Sequence, residues 1–244
     1  MVVHYDYTVL AGTQGARNHY KQDRMFELAL RFRMPIVLFG EGGGGRPGDD
    51  STGPAVAFDT HTFTQFSKLS GAVPMIGVNH GRCFAGNTAL LACCDVIIAT
   101  KDSTIAMGGP AMIEGGGLGI YTPEEVGPMS FQVPNGVVDI LVDDEAEAVR
   151  VAKQYLSYFQ GSVDTWEAPD QRKLRHVVPE NRLRLYDMRE IIATVADIDS
   201  VLEVRAGFGV GVITCFIRVE GRPMGVIANN PHHLAGAIDS DAAD

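Results

Sequence analysis

Short, fully apolar segments alternate with amphipathic segments along most of this 244-residue chain. The segments "MPIVLF", "VPMIGVNH" and "DVIIAT" are apolar enough to form strands that are buried on both faces of a parallel sheet. The segment "NHYKQDRMFELALRF" predicts an amphipathic helix with apolar positions at Tyr20, Met25, Leu28, Ala29 and Phe32. Strands that alternate with helices in this way predict an α/β fold with right-handed crossover connections.

The remaining segments continue this alternation until the pattern changes near the C-terminal end. We expect a strand at "HYDYTVL" and helices at about 59–70, in "GRCFAGNTALLACC" after an opening turn, in "DDEAEAVRVAKQYLSYF" and in "YDMREIIATVAD". The segment "GVITCFIRVEGRPMGVIANN" alternates apolar and polar residues on two arms, which predicts a hairpin around Glu220 and Gly221. We therefore predict a first unit at 1–160, a linker and helix at 161–198, and the start of a second unit at 199–244.

A short repeat supports the idea of two related units. Leu10-Ala11-Gly12 and Leu234-Ala235-Gly236 each follow a predicted strand and could each lead into a helix. Three residues can recur by chance, but a true repeat would make the chain one nearly complete unit followed by the beginning of another. The chain also begins almost inside a predicted strand and stops where a helix would start. We therefore expect a piece cut from a longer protein.

The charge and the cysteines exclude several classes of protein. A net charge of −10 argues against nucleic acid or an anionic membrane surface as a partner, and an anionic small molecule would need a local basic pocket. The four cysteines include no Cys-x-x-Cys pair, so we expect reduced thiols, no metal site and a cytoplasmic location. No signal-peptide pattern opens the chain, and no apolar run reaches the roughly 18–20 residues of a membrane span.

Glycine-rich loops follow two of the predicted strands. In the first, "GEGGGG", Gly40, Gly42 and Gly45 match a dinucleotide-binding pattern, but no helix follows directly and the lysine of a P-loop is missing. The second, "FAGN", lies at a predicted strand-to-helix junction, where backbone amides have no partner inside the helix. Two such loops with convergent N–H groups would form an oxyanion hole. Tight helix–sheet packing, which also demands small residues, is the alternative.

Longer blocks resemble one known family along nearly the whole chain. "YDYTVLAGTQG", "FGEGGGGRPGD", "NHGRCFAGNTALLACCDVIIATKDSTIAMGGP", "GVVDILVDDEAEAV", "VPENRLRLYDMREII" and "EGRPMGVIANNPHHLAGAIDSDAAD" resemble the carboxyltransferase subunits of biotin-dependent acyl-CoA carboxylases. The resemblance implies a crotonase-like (ClpP/crotonase) ββα-superhelix unit that is nearly complete, followed by the truncated start of a second such unit. Subunits of this family contain two such units in tandem.

The resemblance also implies which residues act. In the family, backbone amides of a Gly-Gly pair hold the thioester oxygen as it becomes an enolate, and that pair matches Ala85 and Gly86. Asn87 stands where the family has alanine, which places a polar side chain near the oxygen. The family's Ser-Gly-Gly-Ala-Arg loop matches residues 42–46, and we expect the other donor to be the N–H of Gly44 or Gly45. No side-chain nucleophile and no metal are implied.

A CoA-binding surface is implied beside these loops. Arg46 and Arg82 would meet the CoA phosphates, for which an acidic chain needs local positive charge. Gly43 belongs to the same surface, and Gly108-Gly109-Pro110 would contact the pantetheine region. His80 precedes the second glycine loop, and we expect it only to line that loop.

The implied function is transfer of a carboxyl group from carboxybiotin to the α-carbon of an acyl-CoA. Biotin would be attached to a separate carrier protein or domain, a biotin carboxylase subunit would be a further partner, and full-length family members are dimer-based hexamers. We expect these 244 residues alone to be inactive, because the family's biotin-side residues come later in the second unit. The alternatives are a biotin-dependent acyl-CoA decarboxylase subunit, a non-catalytic CoA-binding or assembly homologue and, least favoured, a dinucleotide-binding oxidoreductase. The acyl group stays open.

Overall fold

The computed structural model describes residues 1–46, 48, 61–181 and 183–244. The chain divides into two compact units, one made of 1–132 and 141–152 and the other of 133–140 and 153–244. The first two residues of the helix expected at 59–70, and most of the segment that follows Arg46, lie outside the described residues. The predicted limits of the linker, 161 and 198, stay a prediction. No helix in the described part of the chain has the length and apolar character needed to cross a bilayer.

Strands and helices are interspersed as far as residue 157, with one or two strands between successive helices over most of this part. The elements in chain order are β1 (Val2–His4), α1 (Ala16–Phe32), β2 (Ile36–Phe39), α2 (His61–Ser67), β3 (Met75–Asn79), β4 (Arg82–Phe84), α3 (Gly86–Leu91), β5 (Val96–Thr100), β6 (Thr104–Ala106), α4 (Pro110–Gly115), α5 (Met129–Gln132), β7 (Ile140–Val142) and α6 (Glu145–Ser157). A 3₁₀ turn at Pro123–Glu125 lies between α4 and α5.

Five strands form the main sheet in the order β1-β2-β3-β5-β7. The first four of these pair in parallel, with Leu38 opposite Gly77 and Gly77 opposite Ile97. The strands predicted from the apolar segments are β2, β3 and β5, and nearly all of their residues are buried, so this prediction is confirmed. Because parallel strands end at the same edge of a sheet, the segments that follow β2 and β3 leave it side by side.

A second, smaller parallel sheet consists of segments that follow the main strands. In it β4 pairs with β6, and isolated bridges join Gly42 to Cys83 and Gln14 to Gly45. The opening of "GRCFAGN", predicted as a turn, is therefore a short strand, and that detail of the prediction is wrong. Its partners come from distant parts of the chain, so the spacing of residues within the segment carries no signal for it.

The core of the first unit is built by α1 and α2 against the main sheet. Phe26 and Phe66 are both fully buried, and their ring centroids lie 4.6 Å apart. Ile36, Leu38 and Met75 of the sheet belong to the same apolar cluster. Full burial of one such side chain contributes about 1.5–3 kcal/mol, so this cluster is a main source of the stability of the unit.

The predicted helix α1 is present, but its buried face differs from the expected one. Tyr20 is 81% exposed and Phe32 is 56% exposed, whereas Gln22, Phe26 and Ala29 are buried. The prediction for Tyr20 and Phe32 is wrong because the helix carries two overlapping apolar rows. Packing against α2 and the sheet selects the row that contains Phe26, and helical spacing alone does not distinguish the two rows.

The part of the chain after residue 157 folds around an antiparallel sheet. Its elements are α7 (Leu174–Val177), α8 (Met188–Val195), β8 (Leu202–Val204), β9 (Val212–Val219), β10 (Arg222–Asn229) and α9 (Ser240–Ala243). The predicted hairpin is confirmed: β9 and β10 pair along their whole length, and the turn residues Glu220 and Gly221 have φ of 51° and 75°. Ile192 of α8 packs with Ile213 and Ile217 of β9 in the core of this unit.

The two Leu-Ala-Gly segments adopt the same backbone turn. All residues of Leu10–Gly12 and Leu234–Gly236 have positive φ, between 46° and 85°. In both segments the glycine N–H donates to the carbonyl of the residue three positions earlier, over 3.1 Å to Val9 in one and 2.8 Å to His233 in the other. Non-glycine residues adopt positive φ rarely, so the shared turn is far more specific than three shared letters.

The turn also begins in the same way in both places. Asp6 and Asn230 each accept a hydrogen bond from the backbone N–H two residues later, over 3.0 and 3.1 Å. Such side-chain turns draw the chain out of an extended conformation. The observed strand β1 therefore overlaps the segment "HYDYTVL" only at His4, so the predicted position of this strand is wrong.

Candidate active site

The first glycine loop leaves the end of β2 and is held by backbone hydrogen bonds. The Gly42 N–H donates to the Arg82 carbonyl over 2.8 Å, and the Gly42 carbonyl accepts from the Phe84 N–H over 2.9 Å. The Gly43 N–H donates to the Ala11 carbonyl over 2.9 Å. A methyl group on Gly42 would overlap the Asn87 amide, so this position has no room for a side chain.

The second glycine loop joins β4 to α3 through a strained residue. Ala85 has φ of 52° and ψ of −121°, a conformation that L-residues rarely adopt. Its N–H donates to the Ala106 carbonyl over 3.2 Å. The Thr88 hydroxyl donates to the carbonyls of Cys83 and Ala106, over 2.8 and 3.0 Å. These bonds maintain the sharp turn, as strained backbone requires.

The two glycine loops contact each other at Gly44. This residue has φ of 85°, and a methyl group on it would lie 2.6 Å from the Ala85 Cβ and 3.3 Å from the Gly86 nitrogen. Only glycine allows so close an approach of two backbones. The structure therefore brings together Gly44, Gly45, Ala85, Gly86 and Asn87, the residues that the sequence grouped as catalytic.

Two of the amides at this contact are occupied within the chain. The Gly44 N–H donates to Asn87 Oδ1 over 3.0 Å, and the Ala85 N–H is bonded to Ala106. Among the described residues, no atom accepts a hydrogen bond from the Gly45 or the Gly86 N–H. Amide groups without an intrachain partner are available to water or to a ligand.

Behind the two loops lies a buried polar network that residue spacing along the chain does not predict. Asn87 is fully buried, and its Oδ1 also accepts from Gln14 Nε2 over 3.2 Å. The same Gln14 nitrogen donates to the Tyr5 hydroxyl over 3.0 Å, and burial raises the pKa of Tyr5. The one feature of the sequence that points to Gln14 is its position two residues after Gly12, the last residue of the Leu-Ala-Gly turn.

The residues expected to bind CoA lie at the borders of this site. Arg46 Nη2 donates to the Thr13 carbonyl over 2.8 Å, and a methyl group on Gly43 would lie 3.1 Å from the Thr13 methyl. Arg82 is ion-paired with Glu124, and both side chains are substantially exposed.

The expected pantetheine contact, Gly108-Gly109-Pro110, lies where β6 leads into α4. Gly109 packs against Phe84: a methyl group on it would lie 3.4 Å from the Phe84 ring. Pro110 is the first residue of α4, a position where proline's missing N–H costs nothing. Since Phe84 directly precedes the strained Ala85, this segment is adjacent to the second glycine loop.

His80 lies in a separate cavity of 330 Å³, not at the glycine contact. Glu41, Glu145, His4 and Tyr5 line the same cavity. His80 Nε2 is 3.0 Å from Glu145 Oε1, and His80 Nδ1 is 3.3 Å from the Thr100 hydroxyl. Burial raises the pKa of Glu41, and the nearby His80 and Arg82 reduce this increase. These contacts join His80 to Glu145 of α6 and to Thr100 of β5.

We expect Gly44→Ala to destabilise the protein by about 1–3 kcal/mol, because the new methyl group meets the Ala85 Cβ and the positive φ is unfavourable for alanine. Equilibrium urea unfolding measures the change. Gly45→Ala is the matched control, since a methyl group there meets nothing within 4 Å. Equal unfolding free energies for the two variants would contradict the close approach at Gly44.

Comparison with known proteins places the whole chain in one family. The family model of the carboxyl transferase domain matches residues 1–244. The methylmalonyl-CoA carboxyltransferase 12S subunit of Propionibacterium freudenreichii subsp. shermanii is 32% identical over 252 residues, which cover 98% of this chain and 47% of that protein. The chain thus spans about half the length of the curated relatives it matches.

Solved structures agree with this comparison. A single-chain, multi-domain long-chain acyl-CoA carboxylase has a TM-score of 0.95 at 61% identity, over 99% of this chain and 24% of that one. The hexameric transcarboxylase 12S, with methylmalonyl-CoA and methylmalonic acid bound, has a TM-score of 0.84 at 31% identity, over 98% of this chain and 48% of that one. The α/β, crotonase-like fold predicted from the sequence is confirmed. The chain belongs to the carboxyl transferase domain family.

Proposed function

We propose that this chain forms the acyl-CoA side of a biotin-dependent carboxyltransferase, which moves a carboxyl group from carboxybiotin to the α-carbon of an acyl-CoA. The supporting observation is the contact between two glycine loops at Gly44. It leaves two amides, those of Gly45 and Gly86, without an acceptor among the described residues. Family membership supports the same chemistry.

The proposed donors to the thioester oxygen are the N–H groups of Gly45 and Gly86. When the α-carbon loses its proton, negative charge accumulates on that oxygen, and preorganised donors stabilise this charge more than they stabilise the neutral thioester. The α-carbon then takes up the carboxyl group as the N–C bond of carboxybiotin breaks, and the proton lost from the α-carbon ends on the biotin nitrogen that the carboxyl group leaves. Ala85 contributes its unusual backbone conformation, since its own N–H is bonded to Ala106.

The substrate class we propose is a long-chain acyl-CoA. The multi-domain carboxylase that shares 61% identity with this chain acts on long-chain acyl-CoA, whereas the 12S subunit, at 32% identity, acts on methylmalonyl-CoA. An acyl-CoA is held by its CoA portion as well, and we assign this to Gly43, Arg46, Arg82 and Gly108–Pro110. An exposed ion pair such as Arg82–Glu124 contributes little stability, so Arg82 can exchange its partner for a phosphate.

The proposed partners follow from the reaction. A biotinylated carrier brings the carboxyl group, a biotin carboxylase subunit recharges it, and the protein assembles as a homo-oligomer, as the hexameric transcarboxylase 12S does. A cytoplasmic location is consistent with the four free thiols of the chain.

We expect the 244-residue chain to bind acyl-CoA but to carboxylate it only at background level when carboxybiotin is supplied. The reason is that the chain spans about half the length of its relatives. Isothermal titration with acyl-CoA and with NAD measures binding, and incorporation of radiolabelled carboxyl groups measures transfer. A full-length relative serves as the positive control for transfer.

Either half of this expectation can fail separately. Binding of NAD without binding of acyl-CoA would contradict the carboxyltransferase proposal. Robust transfer by these residues alone would contradict the view that they form only one side of the site.

A further inference from the structure

We propose that Asn87 is a positioning residue whose side-chain amide locks the two glycine loops together and thereby directs the Gly45 N–H into the substrate site. This inference rests on the proposed function, because it assigns a task to Gly45 that only an acyl-CoA oxygen would use. Asn87 itself does not touch the substrate in this arrangement, since its side chain is fully buried behind the loops.

The Asn87 side chain is anchored at both its oxygen and its nitrogen. Its Oδ1 accepts from the Gly44 N–H over 3.0 Å and from Gln14 Nε2 over 3.2 Å, and its Nδ2 lies 3.5 Å from the Glu41 carbonyl. Its own backbone belongs to the first turn of α3, next to Gly86. One side chain therefore connects the loop that carries Gly45 with the turn that carries Gly86.

The peptide group between Gly44 and Gly45 is held in one orientation. The Gly44 carbonyl accepts from the Gln14 N–H over 2.6 Å. In a trans peptide the N–H points opposite to the carbonyl, so the Gly45 N–H points away from Gln14. The Gly44 N–H is also hydrogen-bonded, to Asn87, so the peptide groups on both sides of Gly44 have fixed orientations. The Gly45 N–H therefore has a single direction.

Glycine at position 42 leaves the space that the Asn87 side chain occupies. A methyl group on Gly42 would overlap Asn87 Nδ2, so glycine at 42 is what lets the amide reach the loop. A buried amide oxygen that accepts two hydrogen bonds favours one arrangement of the groups around it, and the Gly44 N–H that it holds is not available to the substrate. Gly44 is thus fixed as a support and Gly45 as the donor.

The test compares affinities for two CoA analogues in the complete enzyme. One is a thioether that lacks the carbonyl and reports ground-state CoA binding. The other is an analogue in which carbon replaces the CoA sulfur and the chain ends in a nitro group at the place of the thioester carbonyl; when ionised to the nitronate, it carries negative charge on oxygen as the enolate does. We expect Asn87→Ala to weaken nitronate binding by about 10- to 100-fold. A loss of this size is what a shift of the Gly45 N–H by up to about 1 Å would cause. Thioether binding should change by less than about twofold, because the lock acts only on the oxygen-binding amides.

A conservative variant covers the case in which Asn87→Ala fails to fold. Asn87→Asp keeps an oxygen acceptor for Gly44 and Gln14, so nitronate binding, taken relative to the wild-type enzyme at each pH, should recover when the introduced carboxyl group is protonated. It should weaken as that group ionises, because the new charge lies behind the oxyanion donors. Asn230→Ala is the matched control: it removes another buried asparagine, whose amide donates to the Val210 carbonyl over 2.8 Å, and it should leave the ratio of the two affinities unchanged.

The outcomes separate this inference from the proposed function. If the wild-type enzyme binds the nitronate no more tightly than the thioether, the oxyanion site itself is refuted. If the wild-type enzyme prefers the nitronate and Asn87→Ala keeps that preference, only the role of Asn87 is overturned. A parallel loss of affinity for both analogues would also overturn it, since that is what a purely structural role produces.

Discussion

Replacing Gly86 with proline is expected to lower carboxyl transfer by about 10²–10³-fold relative to Gly86→Ala in the complete enzyme. Both substitutions add a side chain at the same place, 3.3 Å from Gln14 Oε1 and 3.4 Å from the Phe63 ring. Only proline removes the backbone N–H that we propose as a donor to the thioester oxygen. Gly86 is the first residue of α3, where proline disturbs a helix least.

The comparison of the two variants isolates one hydrogen bond. Steady-state kinetics should show the loss mainly in kcat, because the donor acts more strongly on the enolate than on the neutral thioester. Circular dichroism and thermal unfolding of both variants check that the turn at Ala85 survives. If correctly folded Gly86→Pro transferred carboxyl groups as fast as Gly86→Ala, the Gly86 amide would not be a donor.

Phe26→Ala is expected to destabilise the first unit by about 3–5 kcal/mol. The ring is fully buried and packs against Phe66 at 4.6 Å between centroids, so its removal leaves a cavity between α1, α2 and the sheet. Urea unfolding, followed by a probe that reports on this unit, measures the loss. A loss of this size is a large fraction of the stability of a typical domain.

Phe32→Ala is the matched control in the same helix. Its ring is 56% exposed, so the expected loss is below about 1 kcal/mol. The pair of variants also tests which face of α1 is buried. Equal losses at positions 26 and 32 would show that the helix is packed in another rotation.

Local patterns predicted most of the main sheet, and the reason is chemical. β2, β3 and β5 are buried on both faces, so nearly every residue in them must be apolar, and this leaves a signal within each segment. The β9–β10 hairpin was equally visible, because alternation and a turn at Glu220 and Gly221 are local features. Tertiary structure was needed for β4, whose partners are β6 and Gly42.

The sequence by itself determined the α/β class, the two glycine loops and, through its resemblance to a family, the residues grouped around Gly44 and Gly86. Only the tertiary structure decided which amides lack an acceptor among the described residues, which row of α1 is buried, and that Gln14 and Asn87 are hydrogen-bonded behind the glycine loops. The physical reason is that burial and hydrogen bonding depend on which distant segments meet. Residue type and spacing along one segment indicate which contacts its residues can form. The contacts that they do form depend on the distant segments that pack against them.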